Sequence, residues 1–165
     1  MKGHMKKVLY LLGAALLLSG CGFGMTWDIA PVIVEMEVVD AEGHNRFDEK
    51  TAGNWLQSTV TATFEGETYR FPSPETRTYA AILRGLYIES YSFGPREGAV
   101  YFAFGELSGE TDRSSDLVIS WPDGTTDTIT VDNRFRWRVN GYPDKKTSFK
   151  LNGESVTCPI RLVKP

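Results

Sequence analysis

The chain has 165 residues, 41% of them apolar and 24% charged, with a formal net charge of −3 at pH 7. That balance suits one folded domain with a full hydrophobic core. It argues against nucleic acid as a partner, since no basic stripe stands out.

Residues 1–20 read as a leader. Lys2, Lys6 and Lys7 form a basic start, and Val8 to Leu18 is an apolar run too short for the roughly 20 residues that span a bilayer as a helix. Leu18-Ser19-Gly20-Cys21 closes that run. It resembles the lipobox of bacterial lipoproteins, the substrate of prolipoprotein diacylglyceryl transferase and the lipoprotein signal peptidase. The resemblance implies cleavage between Gly20 and Cys21, a diacylglycerol thioether on Cys21 and an acyl chain on its freed amine, with no other cofactor. Each buried methylene contributes about 0.8 kcal/mol, so one chain binds marginally and two or three hold firmly.

Cleavage removes three lysines and no acid, which takes the 145-residue mature chain to a net charge of −6. Electrostatic adhesion to anionic lipid is then disfavoured, and the lipid on Cys21 is expected to do the tethering. His44 becomes the only histidine and Cys158 the only unmodified thiol, so no intrachain disulfide is available.

The tether covers residues 21–30. Gly22 to Ala30 extends to at most about 30 Å, which keeps the globule close to its membrane. Phe23, Met25 and Trp27 suit either the headgroup level or the edge of the domain. Residues 31–165 are expected to form a single β-sandwich domain.

The body alternates as strands do. Val32, Val34, Met36 and Val38 share one side, with Glu35 and Glu37 on the other. Asp40 to Asn45 is a turn cluster. Val60 to Phe64 and Thr68 to Phe71 flank Glu65-Gly66-Glu67 as a hairpin. Thr76 to Arg84 is ambiguous, with helical spacing interrupted by Gly85, and reads as an irregular or briefly helical crossover before a strand from about Gly85 to Tyr91. Ala99 to Leu107 is an aromatic-rich strand, and Ser108 to Ser115 an exposed loop. Leu117 to Trp121 and Asp127 to Val131 flank an Asp123-Gly124 turn. Phe135 to Val139 makes a further strand. Ser148 to Leu151 and Val156 to Val163 flank Asn152-Gly153. These amount to about eight to nine strands, the pattern of an all-β antiparallel sandwich.

Trp121-Pro122-Asp123-Gly124-Thr125-Thr126 is similar to the hairpin of polycystic-kidney-disease-type domains, which implies an Ig-like sandwich. The first Gly of that turn and the Phe before it are missing here. The order of lipobox, short linker, Val-rich first strand and late Asp-Gly-Thr and Asn-Gly hairpins resembles envelope lipoproteins of the Bacteroidetes type. Gly22-Phe23-Gly24-Met25 lacks the acidic cluster of a surface-export signal and the Asp that retains some lipoproteins in the inner membrane. The expected address is therefore the cell envelope, at the periplasmic leaflet of an outer membrane.

No catalytic residues and no metal ligands stand out. A triad would have to use His44, and no Ser sits in a nucleophile elbow. One thiol and one imidazole fall short of a closed zinc site. Calcium would need convergence of loop oxygens from Asp112, Asp116, Asp123, Asp127 or Asp132, which read as solvated turn acids. Glu35, Glu37, Glu89 and Glu106 are the acids that could pair for a glycoside-type hydrolase. Cys158 reads as a structural, buried or half-buried residue.

Three functions remain, in descending order. The first is a non-catalytic interaction or scaffold module that docks an envelope protein and shows an apolar patch or an open strand edge. The second is a glycan-binding lipoprotein with Trp55, Trp137, Tyr101 and Tyr142 as its aromatic platform, which requires at least two coplanar exposed rings. The third is the hydrolase.

Overall fold

The computed structural model describes residues 28–72 and 84–165, apart from the Glu106 side chain. Among them are ten strands and no helix: β1 (Val32–Val39), β2 (Val60–Phe64), β3 (Glu67–Phe71), β4 (Gly85–Ser90), β5 (Val100–Leu107), β6 (Arg113–Ser120), β7 (Thr126–Trp137), β8 (Pro143–Leu151), β9 (Glu154–Val156) and β10 (Ile160–Val163). They form two sheets, ordered β10-β1-β5-β4 and β3-β2-β6-β7-β8-β9. The described residues are all-β, and the two sheets enclose one apolar core as a β-sandwich. The crossover expected before Gly85 falls on residues 73–83, outside the described residues.

Alternation explains the packing. Val34, Met36 and Val38 are fully buried on the inner side of β1, and Phe102 and Phe104 answer them from β5. Leu117 and Ile119 of β6 and Ile129 and Val131 of β7 close the core from the other sheet. Burying each such side chain contributes about 1.5–3 kcal/mol. The largest fully buried side chain from outside the strands is Phe47, in the loop after β1. It stacks on Phe102 with centroids 4.1 Å apart and planes 4° from parallel. Phe71 and Trp55 meet Phe47 edge-on.

Four expectations need correction. Residues Asp127 to Val131 and Phe135 to Val139 were expected as separate strands, but β7 runs unbroken for 12 residues. Paired on one side to β6 and on the other to β8, its backbone is held whatever its polarity. The loop expected to reach Ser115 ends earlier, because Arg113, Ser114 and Ser115 already pair with β7. Val156 to Val163 divides into β9 and β10, in different sheets. Finally, β10 lies parallel to β1, with Met36 opposite Ile160 and Val39 opposite Val163, so that sheet is mixed rather than antiparallel. The chain crosses from one sheet's edge to the other's and arrives running in the β1 direction.

The turns set the registers. Asn152 (φ +50°) and Gly153 (φ +92°) both take positive φ between β8 and β9. That is the two-residue geometry that matches strand twist, and it favours Asn-Gly for steric reasons.

The sandwich has two unlike ends. At one lie the loop after β1, the β6–β7 turn, the β8–β9 turn and the C-terminus. At the other lie residues 28–31, the loop between β5 and β6, and the tip of the β7–β8 hairpin. The register Val32–Leu107 and Arg113–Asn133 locates this second end.

Candidate functional site

Gly20 and Cys21 lie outside the described residues. The four aromatic platform candidates fall in three places. Trp55 is buried against Phe47 and Trp121, so neither face is available to a sugar. Tyr101 is half-buried on the outer face of β5, edge-on to Tyr91 and beside Arg96. Trp137 and Tyr142 are both exposed on the β7–β8 hairpin. There Trp137 pairs with Pro143, and the neighbouring Arg138 N–H donates to the Tyr142 carbonyl. Alternation therefore puts the two rings on opposite faces of the ribbon. The four do not form a coplanar platform.

Of the candidate carboxylates, Glu35 and Glu37 are engaged with partners, Glu89 stands on the same outer face of the sheet as Glu35, and the Glu106 side chain lies outside the described residues. Glu35 is buried on the outer face of β1, beneath the loop between β4 and β5. The Tyr91 hydroxyl donates to one of its oxygens at 2.5 Å, and Arg96 to the other at 2.7 Å. The bond to Glu35, and then burial, push the Tyr91 phenol up, so it stays protonated. This is a clamp that holds the loop on the sheet. Glu37 pairs with Arg161 at 2.8 Å. Cys158 sits half-buried below the clamp, its sulfur 3.7 Å from the Glu35 carbonyl oxygen. Burial pushes that thiol up, away from nucleophilic use.

Asp112 and Asp132 line one cavity, but among the described residues no three of the aspartates bring their oxygens together. Asp116 accepts from Thr130, and Asp123 closes its own turn onto Thr125. Asp132 faces Arg134 at 3.7 Å. Asp127 is buried and accepts from Trp121 Nε1 at 2.7 Å, Asn152 Nδ2 at 2.8 Å and Lys164 Nζ at 2.6 Å. Burial alone would raise its pKa, but the bonds from Lys164, Asn152 and Trp121 outweigh that and hold it below the usual carboxylate range. Asp40, Glu42 and His44 bring donor atoms within 4.8 Å of one another in the turn after β1. There Asp40 is already bonded to the His44 N–H and faces the His44 ring.

The hairpin differs from all of this. Along β7 the inward positions Asp127, Ile129, Val131 and Asn133 are buried, and beyond Asn133 the strand leaves the core. Asn133 closes the sandwich. Its amide donates to the Gly109 and Thr111 carbonyls and accepts from the Thr147 hydroxyl. The ribbon then projects, with register retained from Arg134–Lys146 to Trp137–Pro143. A turn at residues 138–141 caps it, with Gly141 N–H donating to the Arg138 carbonyl. Val139 is wholly exposed at the apex, Trp137 is 54% exposed and Tyr142 48%. Phe135 and Trp137 contact edge-on on one face.

This projection is strongly basic. Residues 134–146 contain Arg134, Arg136, Arg138, Lys145 and Lys146 against Asp144 alone. Arg138 and Arg136 both bond the Asp144 carboxylate and hold it below the usual range, so it stays ionised within a net charge of +4. Residues 21–165 sum to −6, so those outside the projection carry −10.

The tether meets the root of the hairpin. Lys145 Nζ donates to the Ala30 carbonyl at 2.6 Å. Gly109 lies so close that a Cβ there would fall 2.5 Å from the same oxygen. Residues 29 and 30 therefore enter the domain wedged between the hairpin and the β5–β6 loop. Alternation of Phe135-Arg136-Trp137-Arg138 was visible in the sequence. The contact of Lys145 with Ala30 was not, and neither was the role of Asn133.

Residues 5–21 match the family model of the prokaryotic membrane lipoprotein lipid attachment site. No curated protein and no solved structure matches the chain significantly. The chain is a membrane-anchored lipoprotein, with its lipid attached at the N-terminal end.

Proposed function

We propose that the protein is a non-catalytic interaction module of the cell envelope, held at the periplasmic leaflet of an outer membrane by the diacylglycerol and N-acyl lipid of Cys21. Its contact element is the β7–β8 hairpin. The observation that carries this reading is the concentration of exposed apolar side chains there. Of the five large exposed apolar residues among those described, Trp137, Val139 and Tyr142 lie within six positions of the ribbon. Apolar surface rimmed by charge is what an interaction site presents. The Ig-like resemblance of the Trp121 hairpin and the Bacteroidetes-type order of features support the same setting.

A photo-crosslinking residue at position 139 tests this in the native envelope, against the same probe at Phe93, which is exposed in the β4–β5 loop. Discrete adducts from position 139 and none from position 93 are expected. Equal labelling from both positions, or none from position 139, would overturn the reading.

A further inference from the structure

We infer that the β7–β8 hairpin is a second membrane contact, and that its occupant is the anionic phospholipid surface in which the Cys21 lipid is embedded. The inference rests on the reading of the hairpin as the contact element and names its partner. The first argument is position. The described chain begins at the root of this ribbon, with Ala30 bonded to Lys145. Residues 22–30 extend to about 30 Å at most. From the Phe135 level to the apex at Asn140 is five residues, about 17 Å of strand. A tether leaving the hairpin root toward a bilayer therefore brings the apex within reach of that same bilayer.

The second argument is chemistry. The apex carries an apolar residue, Val139, between Trp137 and Tyr142, the two residue types that settle at the headgroup level. Arg134, Arg136 and Arg138 alternate with Phe135 and Trp137. Guanidinium groups pair bidentately with phosphate, and each basic residue near an anionic surface favours binding about fivefold. The net charge of +4 in residues 134–146 is complementary to such a surface, while the rest of the domain at −9 is repelled by it. That division orients the domain with the hairpin down. The lipid on Cys21 makes the contact intramolecular, so a weak hairpin affinity suffices.

The test uses the mature lipidated protein carrying Trp27→Phe, reconstituted into vesicles of zwitterionic and anionic phospholipid with brominated acyl chains. Trp55 and Trp121 are buried, so Trp137 is the accessible indole among those described. Partial quenching is expected, with most of it lost on Trp137→Phe. Most is also lost in vesicles without anionic lipid, and on replacing Arg134, Arg136 and Arg138 together by Gln. Quenching that is equal with and without Trp137 would overturn the inference. If quenching is absent while position 139 crosslinks to a protein, the membrane assignment fails and the interaction reading stands. If neither signal appears, both fail.

Discussion

The two ends of the sandwich use the same residue types in opposite ways. At the C-terminal end, Trp121 is buried with its indole N–H on Asp127, and Lys164 completes the pair. Lys164 also donates to Thr125, lies near the Trp121 ring and returns its backbone N–H to Val39 of the other sheet. At the tether end, Trp137 is open, Asp144 bridges two exposed arginines, and Lys145 holds only a backbone carbonyl. One end fastens the sheets together and the other reaches away from them. The difference shows that a Trp, an Asp and a Lys have no role by identity. Burial decides: a buried charge must be paired, and a fully solvated one adds little to stability.

That contrast can be broken most sharply at the clasp. Asp127→Ala strands the Lys164 ammonium in a buried site, and breaking such a pair costs about 3–5 kcal/mol. The midpoint of denaturant unfolding should fall accordingly. Phe102→Ala empties the partner of Phe47 and should cost a similar amount, about 3–5 kcal/mol. A loss under about 1 kcal/mol in either variant would mean that this end is not the fastened one.

A smaller effect is expected from pH. The folded Asp127 carboxyl titrates below its unfolded value, so its contribution is present in full above the unfolded carboxylate pKa of about 3.9 and is lost as pH falls through the lower folded value. Acid unfolding of Asp127→Asn should therefore start from lower stability and depend less steeply on pH in that range. An unchanged slope would count against the clasp.

The smallest effects on stability belong to the hairpin. Trp137→Ala and Val139→Asp touch exposed side chains and should shift the unfolding free energy by no more than about 0.5 kcal/mol. Trp137→Ala should nevertheless weaken the crosslinks from position 139, and Val139→Asp should weaken the quenching of Trp137 by brominated lipid. A large drop in melting temperature would show that the ribbon is part of the core. Cys158 sharpens the comparison from the clamp: burial raises its thiol pKa, so labelling by a thiol reagent at neutral pH should be slow until the protein unfolds.

Much of the fold is legible in the sequence. Val34, Met36 and Val38 advertised one buried face by alternation, and Asn152-Gly153 advertised its turn by the φ angles that pair tolerates. Where the reading slipped, the cause was long-range pairing. Asp132, Asn133 and Arg134 look like a break between strands, yet β6 and β8 pair with the first two and β8 carries on past Arg134. The parallel partnership of β1 with β10 joins residues more than 120 positions apart and leaves no local trace. Trp55 and Trp137 could not be told apart by their neighbours in the chain, because what separates them is whether Phe47 packs alongside. The overall acidity also concealed the hairpin, since an average over the chain cancels a segregated charge.

The sequence by itself determined the lipid attachment site within residues 5–21, the strand periodicity and the hairpin turns, because each depends on residues within a few positions of one another. Tertiary structure decided which aromatic rings are buried, which acids are neutralised, and that the tether enters beside a basic, aromatic ribbon. Those outcomes depend on contacts such as Lys145 with Ala30, 115 residues apart. Only folding brings such groups together, and only then do burial and charge take their values.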